Sequence, residues 1–599
     1  MRRAAEVSSP FFPFYWLFIP SIMLGLFISL LLHGGIRGLY FDDYIFKRHV
    51  LDLVTGAWKP RLLVEGGLDP YLRPLAKAII ANLAIAIPDA EAPLRVLWAL
   101  IHLTNAALVG LLIYRVLRSH LAAALSILLF LVPVPAHESL LWHTGAGASG
   151  LGATEFLAAI HFLLTAIQRE RRWIAAACVG FIGLLMVLAT YEQYAIGIVI
   201  LPLFGIFVLW NRAQSRKRKM LVRACLLTAI GIAIALVYWS LILSKAWSIG
   251  VRGGLDLDVH NILTRRARQV FGGVRFLTLG EWGLGGMWKQ AFLLGIQQVF
   301  HDPISLLALG LLVFILVGLA ASSTRLIAGD QTSLSETRPL AGLFVIGTLL
   351  SLLAFVPALV IRNQIVESRM MYFAWIGFTL AMTALLEYMV RALTRRAWWP
   401  GRVVILSVGS VYLAGVLTLT GFAHVYRLRA EHDQRQIAAL VKAVPSLPTV
   451  SKVMLLPIDL DERSVRFSTG KDNPLDTYLF GVFEHSWSAA PAMQMAYKYP
   501  EIEAITSNRW GHLRFTGARY SSKGTVNQIV VNGQLVETNR LLAFTYEDDK
   551  VVLLNPLILV NSNAAEVGIP LPLVERVRTF STEVRRISLQ LEPIAHALN

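Results

Sequence analysis

Long apolar runs separated by short polar connections recur along the first 425 residues of the chain. Many are roughly 18 residues or longer, which is enough for a helix to cross about 30 Å of hydrocarbon. The pattern therefore predicts a polytopic α-helical membrane protein with about eleven transmembrane helices. We place these helices at 14–33, 94–117, 121–135, 151–168, 173–190, 195–211, 221–243, 303–321, 339–361, 371–391 and 402–423.

The short basic connections predict the orientation of these helices, because cytoplasmic loops are enriched in arginine and lysine. Arg2 and Arg3 place the N-terminus inside. The other basic turns contain Arg115, Arg118, Arg169, Arg171, Arg172, Arg212, Arg216, Lys217, Arg218, Lys219, Arg391, Arg395, Arg396 and Arg402. With eleven crossings, the C-terminus lies outside.

If the apolar stretch 72–87 crossed the membrane, all the basic turns that follow it up to Lys219 would face outward. It is short for a crossing, is bounded by Pro74 and Pro88, and contains Lys77. We therefore predict that it lies in or dips into the outer leaflet. Residues 34–93 then form one long first external loop.

A later external loop, 244–302, combines tryptophan and arginine in a way that is typical of an interfacial amphipathic segment near anionic lipid headgroups. Its tryptophans are Trp247, Trp282 and Trp288, and its arginines include Arg252, Arg265, Arg266, Arg268 and Arg275.

The composition changes after about residue 424. A polar helix is predicted over 424–444, followed by strands over 452–458, 528–531, 541–546 and 551–554. Asn532-Gly533 favours a two-residue hairpin turn, with 534–537 as the returning strand. Residues 1–425 are thus predicted as the transmembrane domain and 426–599 as a small extracytoplasmic α/β domain.

Composition agrees with a membrane protein, since 56% of the 599 residues are hydrophobic and 16% are charged. The net charge of +17 does not indicate nucleic-acid binding, because the basic residues lie mainly in the short connections. The two cysteines, Cys178 and Cys225, lie inside apolar runs and form neither a disulfide framework nor a thiolate metal site. The N-terminal apolar run lacks a clear cleavage site, and we interpret it as a retained first helix.

Two adjacent carboxylates, Asp42 and Asp43, follow the first helix where the chain leaves the bilayer. Either could cap a helix over 44–54, because acidic residues favour the positive end of a helix. Charges at a membrane boundary are equally a sign of function. The two interpretations are compatible, since a capping carboxylate is held in place.

Further polar side chains fall on the external side once the orientation is fixed. They are Arg73 and Lys77, then His137, Glu138 and His143, then Glu192, and last Arg362 and Arg369. Each has a plain alternative. Arg73 and Lys77 could snorkel at the interface, and the segment with His137, Glu138 and His143 could be an ordinary polar turn. Glu192 could be a solvated acid, and the two later arginines could pair with Glu367 or lipid. The histidine spacing is too loose to predict a metal site.

Carboxylates and cations around one external cavity suit a single kind of chemistry. A carboxylate takes a proton from an acceptor hydroxyl, while arginine and lysine stabilise a departing phosphate. No nucleotide supply exists outside the cytoplasm, and the sequence contains no Walker A motif. An activated group used on this face would have to arrive attached to a lipid.

At this point the chain resembles the GT-C superfamily of membrane glycosyltransferases, most closely the branch of protein O-mannosyltransferases and lipid A aminoarabinose transferases. The resemblance covers roughly 10–425. The matching residues are Phe41-Asp42-Asp43, Tyr71-Leu72-Arg73-Pro74-Leu75, Leu94-Arg95 with His102, Asn105 and Ala106, His137-Glu138 through Trp142, Tyr191-Glu192-Gln193, and Ser368-Arg369-Met370-Met371-Tyr372.

The resemblance implies transfer of a sugar from a polyprenyl-phosphate carrier, with an acid of the first external loop as catalytic base. By position this is Asp42 or Asp43, and we favour Asp42 because it comes first after the helix. Arg73, Lys77, Arg362 and Arg369 are then the candidates for binding the lipid phosphate, and Glu138, His143 and Glu192 for lining the sugar or acceptor pocket.

The sequence therefore predicts an inverting glycosyltransferase of the cytoplasmic (inner) membrane, with membrane lipids and a glycan, lipid or protein acceptor as partners. No cofactor is predicted, and metal dependence stays open. Two alternatives also stay open: a polysaccharide polymerase or ligase that uses a diphosphate-linked donor, and a lipid or glycan transporter. Transporters often have repeated halves and broken helices, and the sequence displays neither.

Overall fold

The described residues fall into two compact units, one ending at His424 and the other containing those from Val425 onward. The computed structural model describes residues 91–141, 146–169, 171–204, 214–249, 258–279, 286–330, 338–360, 368–394, 400–445, 453–457, 482–483, 486–497, 501–505, 515–520, 526–531, 534–547 and 550–554, with 23, 24, 27, 75, 76 and 79. Most of the predicted first helix and of the first external loop lies outside these residues.

The first unit is helical. Its helices are α1 (Glu91–Leu117), α2 (His120–Phe130), α3 (Glu138–Leu141), α4 (Leu151–Gln168), α5 (Trp173–Tyr191), α6 (Gln214–Ile249), α7 (Val259–Asn261), α8 (Ala267–Leu279), α9 (Met287–His301), α10 (Pro303–Asp330), α11 (Arg338–Leu353), α12 (Val356–Val360), α13 (Met371–Thr394) and α14 (Pro400–Ala443). Short 3-10 helices cover Val134–Ala136, Glu192–Ile200 and Ser368–Met370, and π-helical turns cover Ala146–Gly150 and Ile262–Arg266.

Six helices in the described part of the chain are long and apolar enough to cross a membrane, or seven if α9 and α10 count as one bent span. α9 and α10 meet at an angle of 108°. The architecture is that of a polytopic helical membrane protein, whereas the total of eleven crossings stays a prediction.

Two predicted spans are shorter than the sequence suggests, and proline explains both. The span predicted over 121–135 ends as a helix at Phe130, ahead of Pro133 and Pro135. The span predicted over 339–361 breaks after Leu353, four residues before Pro357. Proline has no N–H and its ring collides with the carbonyl four residues earlier, so a regular helix ends there.

The apolar run Trp173–Phe204 passes as one long span by composition, yet the chain reverses within it. A Cβ placed on Gly231 of α6 would lie 2.8 Å from Ile198 Cγ1 and 3.4 Å from Leu184 Cδ2. In one continuous helix these two residues would be about 21 Å apart, so a single neighbour could not touch both. The reversal falls at Tyr191, whose φ of −153° and ψ of 86° are not helical. The turn predicted near 190–194 is therefore present.

Hydrogen bonds connect three of the basic turns at one end of the helical unit. Arg115 of α1 donates from Nη2 to Gln168 Oε1 at 2.6 Å and from Nη1 to the His161 carbonyl at 2.8 Å, both in α4. Arg223 of α6 donates to the Arg169 carbonyl at 3.2 Å. The C-terminal ends of α1 and α4 and the beginning of α6 therefore lie together, as the predicted orientation requires.

α9 and α14 cross with their backbones in contact at a pair of glycines. A Cβ on Gly295 would collide with the carbonyl of Leu417, and one on Gly421 would collide with the carbonyl of Ala291. Membrane helices approach this closely through small residues, because packing rather than hydrophobic burial drives their association. The crossing leaves no room for a methyl group on either side.

A second close contact joins α11 to α13. A Cβ on Gly347 would lie 2.6 Å from the Gly377 carbonyl oxygen, and Ser351 donates its hydroxyl to the Ala374 carbonyl at 3.0 Å. This contact fixes the first half of α13, which carries part of the candidate site.

Among its described residues, the second unit contains two β-sheets and one further helix, α15 (Ser486–Tyr497). Strands β1 (Val453–Pro457), β2 (Ile502–Ala504), β6 (Leu541–Glu547) and β7 (Lys550–Leu554) form a four-stranded sheet in the order β2-β1-β6-β7. β1 runs parallel to both β2 and β6, and β7 is antiparallel to β6. The apolar core of this sheet includes Leu455, Phe483, Met493, Leu542 and Phe544.

The other sheet is antiparallel, in the order β3 (Phe515–Tyr520), β4 (Val526–Val531) and β5 (Gln534–Glu537). Val531 pairs with Gln534, so two residues join β4 to β5. This pairing confirms the hairpin that the Asn532-Gly533 pair predicts.

Candidate functional site

Three helices of the first unit meet at a fully buried polar junction, which we call the Tyr372 junction (His102, Asn105 and Tyr372). His102 and Asn105 lie one turn apart on α1, and Tyr372 is the second residue of α13. The Tyr372 hydroxyl lies 2.6 Å from His102 Nδ1 and accepts a hydrogen bond from Asn105 Nδ2 at 3.2 Å. Asn105 also donates to the Gly150 carbonyl at 2.9 Å and accepts from the Thr154 hydroxyl at 2.7 Å, which attaches the start of α4.

The partners of His102 determine its tautomer. Its Nε2 lies 3.2 Å from the Leu131 carbonyl, which can only accept, so Nε2 carries the proton. Nδ1 is then the acceptor, and the Tyr372 hydroxyl donates to it. The junction is thus a directed chain of hydrogen bonds that joins α1, α13, the end of α2 and the turn before α4.

A second contact joins the segment after α2 to the turn before α13. Ser368 donates its hydroxyl to the Pro135 carbonyl at 2.8 Å, and the Glu138 N–H points to that hydroxyl at 3.4 Å. His137 is fully buried, with its ring stacked on Phe422 at 4.0 Å. Two segments that are 230 residues apart in sequence therefore lie side by side.

His137 is neutral at physiological pH. Removal from water lowers the pKa of its imidazole to about 4, against a smaller opposing effect of the hydrogen bond to the Val134 carbonyl. Nδ1 donates to that carbonyl at 2.9 Å. His137 therefore supplies a rigid support for Glu138 rather than a cation for phosphate.

Glu192 lies at the reversal after α5 and is buried, with 4% of its surface exposed. Tyr238 of α6 lies close enough for an electrostatic interaction with the Glu192 carboxylate. The neighbouring Tyr194 is fully buried and donates to the Ser149 carbonyl at 3.0 Å, which connects this turn to the start of α4. A buried acid at this position is costly without a partner or a function.

Two further residues at this end received no role from the sequence: Glu155 was not singled out, and Arg95 was named only as part of the resemblance. Glu155, one turn into α4, accepts a hydrogen bond from the Thr190 hydroxyl at 3.0 Å and so lies beside the Glu192 turn. Arg95, in the first turn of α1, donates to the Leu141 carbonyl at 3.2 Å and places a cation beside α3. The signal for Glu155 was a single acid inside an apolar run, and the signal for Arg95 was a cation at the external end of a predicted span.

Of the predicted site residues, Glu138 lies beside the Ser368 turn, and Glu192 lies in the turn that contacts the start of α4. Arg369 lies in the 3-10 helix Ser368–Met370, directly after the serine that contacts the Glu138 segment. Asp42, Asp43, Arg73, Lys77, His143 and Arg362 lie outside the described residues. Their proposed roles stay predictions.

No group of three or more His, Cys, Asp or Glu residues in the described ranges is arranged to hold a metal ion. Trp288, which the sequence assigns to the interfacial loop, is buried in α9 with 5% of its surface exposed. Its burial follows from the close crossing of α9 and α14.

No known family model matches the chain, and no curated protein matches it. Among solved structures, ArnT from Cupriavidus metallidurans bound to undecaprenyl phosphate is 14% identical, with a TM-score of 0.33, over 82% of this chain and 89% of that chain. The apo state of the same protein matches at 14% identity and a TM-score of 0.33, over 90% of this chain and 93% of that chain. A TM-score of 0.33 is too low to establish a common fold, so neither match assigns a family, substrate or mechanism.

Proposed function

We propose that the chain is an integral-membrane glycosyltransferase that transfers a sugar from a polyprenyl-phosphate carrier to an extracytoplasmic protein, lipid or polysaccharide. The observation that carries this proposal is the meeting of separate polar blocks at one end of the helical unit. Ser368 contacts the Glu138 segment, Tyr372 contacts α1, and the Glu192 turn contacts the start of α4. Polar groups are retained in a membrane protein where they bind or react, and these blocks are the ones that carry the resemblance.

In this proposal the described polar groups act mainly as a framework. The groups of the Tyr372 junction bond to one another, so they position the segments that carry the reacting side chains. Asp42 is the base and Asp43 orients it or the acceptor. Arg73, Lys77, Arg362 and Arg369 bind the lipid phosphate, and Glu138, His143 and Glu192 line the sugar or acceptor pocket.

The reaction is a single displacement at the anomeric carbon of the donor sugar. The acceptor hydroxyl oxygen bonds to that carbon as the bond from carbon to phosphate oxygen breaks. The hydroxyl proton passes to the Asp42 carboxylate. The lipid phosphate leaves with its electron pair, and the arginine and lysine side chains stabilise its charge. One displacement inverts the anomeric configuration.

The proposed location is the cytoplasmic (inner) membrane, with the site and the second unit on the extracytoplasmic side. Three of the predicted cytoplasmic turns lie at one end of the helices, joined through Arg115 and Arg223. The Tyr372 junction and the Glu138 segment lie toward the other end, at the start of α13.

The test uses the paired variant Asp42→Asn/Asp43→Asn. Asparagine caps a helix about as well as aspartate but cannot take the proton, so the variant separates the two interpretations of the pair. The purified full-length protein is reconstituted in lipid and given radiolabelled sugars on a polyprenyl monophosphate, with an envelope extract as acceptor source. We expect transfer by the wild type and at least a hundredfold loss in the variant, the lower range for losing a catalytic base.

The matched control is Asp258→Asn. Asp258 is an exposed external acid that caps α7 by accepting from the His260 N–H, so asparagine preserves its cap while removing one charge. Full transfer by this control with none by the paired variant supports the proposal. Transfer only from a diphosphate-linked donor would favour a polymerase or ligase, and donor movement across the bilayer without transfer would favour a transporter. Undiminished transfer by the paired variant excludes the aspartates as base.

A further inference from the structure

Helix α8 (Ala267–Leu279) has one buried and one exposed face. Leu277 is 4% exposed on the buried side. On the other side Arg268 and Arg275 are exposed, and Phe271 is 72% exposed. A Cβ placed on Gly272 would meet nothing within 4 Å, so the surface around Phe271 is open.

The exposed residues form one stripe along the helix, which we call the α8 face (Arg268, Phe271, Gly272 and Arg275). They stand at positions i, i+3, i+4 and i+7, the spacing that aligns side chains on one side of a helix. An aromatic ring is thus flanked one turn away on either side by an arginine. The described segment 258–279 contains four arginines and one acid, Asp258, so its net charge is positive.

The position of α8 in the fold is next to the external end of the helical unit. It packs against α12 and α13, and the π-helical turn before it also packs against α12. α12 directly follows the end of α11 and precedes the Ser368 turn, which contacts the external segment after α2. Under the proposed orientation, this level corresponds to the headgroups of the outer leaflet.

The positive charge and the exposed aromatic ring of the α8 face indicate what kind of partner it binds. Two arginines bind phosphate oxygens, and an exposed phenylalanine gains by leaving water for the acyl boundary. A second copy of the chain would bring the same positive charges to the contact and be repelled. We propose that the α8 face lies on the headgroup layer of the outer leaflet, with Phe271 inserted and Arg268 and Arg275 on the phosphates of anionic phospholipids. This inference does not depend on the transfer reaction.

The experiment places an environment-sensitive fluorophore on the open glycine. Gly272→Cys is labelled with an NBD maleimide in the full chain carrying Cys178→Ala and Cys225→Ala, which removes the two native thiols. The protein is reconstituted in nanodiscs of phosphatidylcholine alone or of phosphatidylcholine with phosphatidylglycerol. We expect a blue-shifted emission and stronger quenching by headgroup-labelled lipid when phosphatidylglycerol is present.

Three variants decide the outcome. Each arginine beside an anionic surface favours contact by about fivefold, so Arg268→Gln/Arg275→Gln should abolish the difference between the two lipid compositions. Phe271→Ser should reduce the blue shift in both. Arg218→Gln/Lys219→Gln removes the same charge from exposed residues at the start of α6 and should change nothing. A water-like emission in every membrane would overturn the proposal. So would equal emission in the two compositions, or a lipid dependence that survives loss of Arg268 and Arg275.

Discussion

The hydroxyl of Tyr372 links four segments of the chain through two hydrogen bonds. It donates to His102 and accepts from Asn105, and these two residues bond in turn to the carbonyls of Leu131 and Gly150. All of these groups are buried, so loss of one hydroxyl leaves an acceptor and a donor without replacement by water. Such a group costs about 1–3 kcal/mol when it is left unsatisfied.

Tyr372→Phe should therefore lower the free energy of unfolding by about 1–3 kcal/mol and reduce sugar transfer, because α13 positions the Ser368–Arg369 turn. Thermal unfolding of the purified protein in detergent measures the first effect, and the transfer assay measures the second. Tyr388→Phe is the matched control, since Tyr388 lies on the same helix and is 51% exposed. Equal stability of the two variants would contradict a structural role for the junction.

His137 makes stability depend on pH in a defined direction. Its pKa is about 4 in the folded chain and 6.5 when free of the fold, so the unfolded state binds more protons between these values. Stability should fall as the pH is lowered from 6.5 towards 4, by roughly 3 kcal/mol at most. The melting temperature, measured over this range, should decline more steeply for the wild type than for His137→Phe, which retains a ring against Phe422. Parallel curves would show that His137 does not titrate in this way.

The sequence singled out Glu138 and Glu192 because a glutamate beside a membrane helix is conspicuous. It did not single out Glu155, because one acid within an apolar run gives no indication of its neighbours. Only the fold reveals that Thr190, 35 residues later, donates to it. The sequence reveals an acid at the end of a membrane helix, whereas the partner of an acid on a distant segment cannot be predicted from it.

At the scale of elements, the apolar runs predict the positions of most helices closely, but they predict several helix ends wrongly. α4 covers Leu151–Gln168 as predicted, and α13 begins at Met371 as predicted. Two of the errors fall at prolines, where α2 and α11 stop early, because an apolar run continues through a proline although the helix does not. Others fall where a helix extends past its apolar run, as α6 and α10 do. The close approach of α9 to α14 could not be predicted either, since a glycine in an apolar run has many uses.

Gly421→Ala tests that approach. The added methyl group would collide with the Ala291 carbonyl, and the two backbones would have to separate. We expect a loss of about 1–3 kcal/mol or more in stability and a lower yield of monodisperse protein in detergent. Fluorescence-detected gel filtration after heating measures both.

The matched control for this change is Gly310→Ala in α10. A Cβ on Gly310 meets nothing within 4 Å, and alanine favours a helix over glycine by up to about 1 kcal/mol. The control should match or exceed the wild type in stability. If Gly421→Ala behaves in the same way, α9 and α14 do not cross at these glycines.

At the scale of the whole molecule, the predicted orientation gives opposite labelling for two exposed positions. Leu535, 46% exposed on β5, should lie outside, and Arg171, exposed in the turn before α5, should lie inside. A membrane-impermeant maleimide applied to intact spheroplasts should label Leu535→Cys, and should label Arg171→Cys only after lysis. Both variants carry Cys178→Ala and Cys225→Ala. The reverse pattern would invert the topology and place the second unit in the cytoplasm.

Fold class and helix order could be predicted from the sequence because membrane insertion depends on local hydropathy and local charge. The β4–β5 hairpin could also be predicted, since Asn532-Gly533 determines a turn within four residues. The Tyr372 junction depends instead on contacts between residues about 270 apart. No local pattern encodes such a contact, so its geometry emerged only from the fold.

The glycine crossing of α9 and α14 has a consequence for mutational scanning of this chain. Codons 295 and 421 would tolerate almost no replacement, because even the smallest side chain collides with a carbonyl. In a growth-based map they would therefore appear as sensitive as the proposed catalytic pair, Asp42 and Asp43, although the proposed reaction gives these glycines no part. Intolerance to substitution alone will not locate the reacting groups of this protein, and a separate count of folded molecules is needed for each variant.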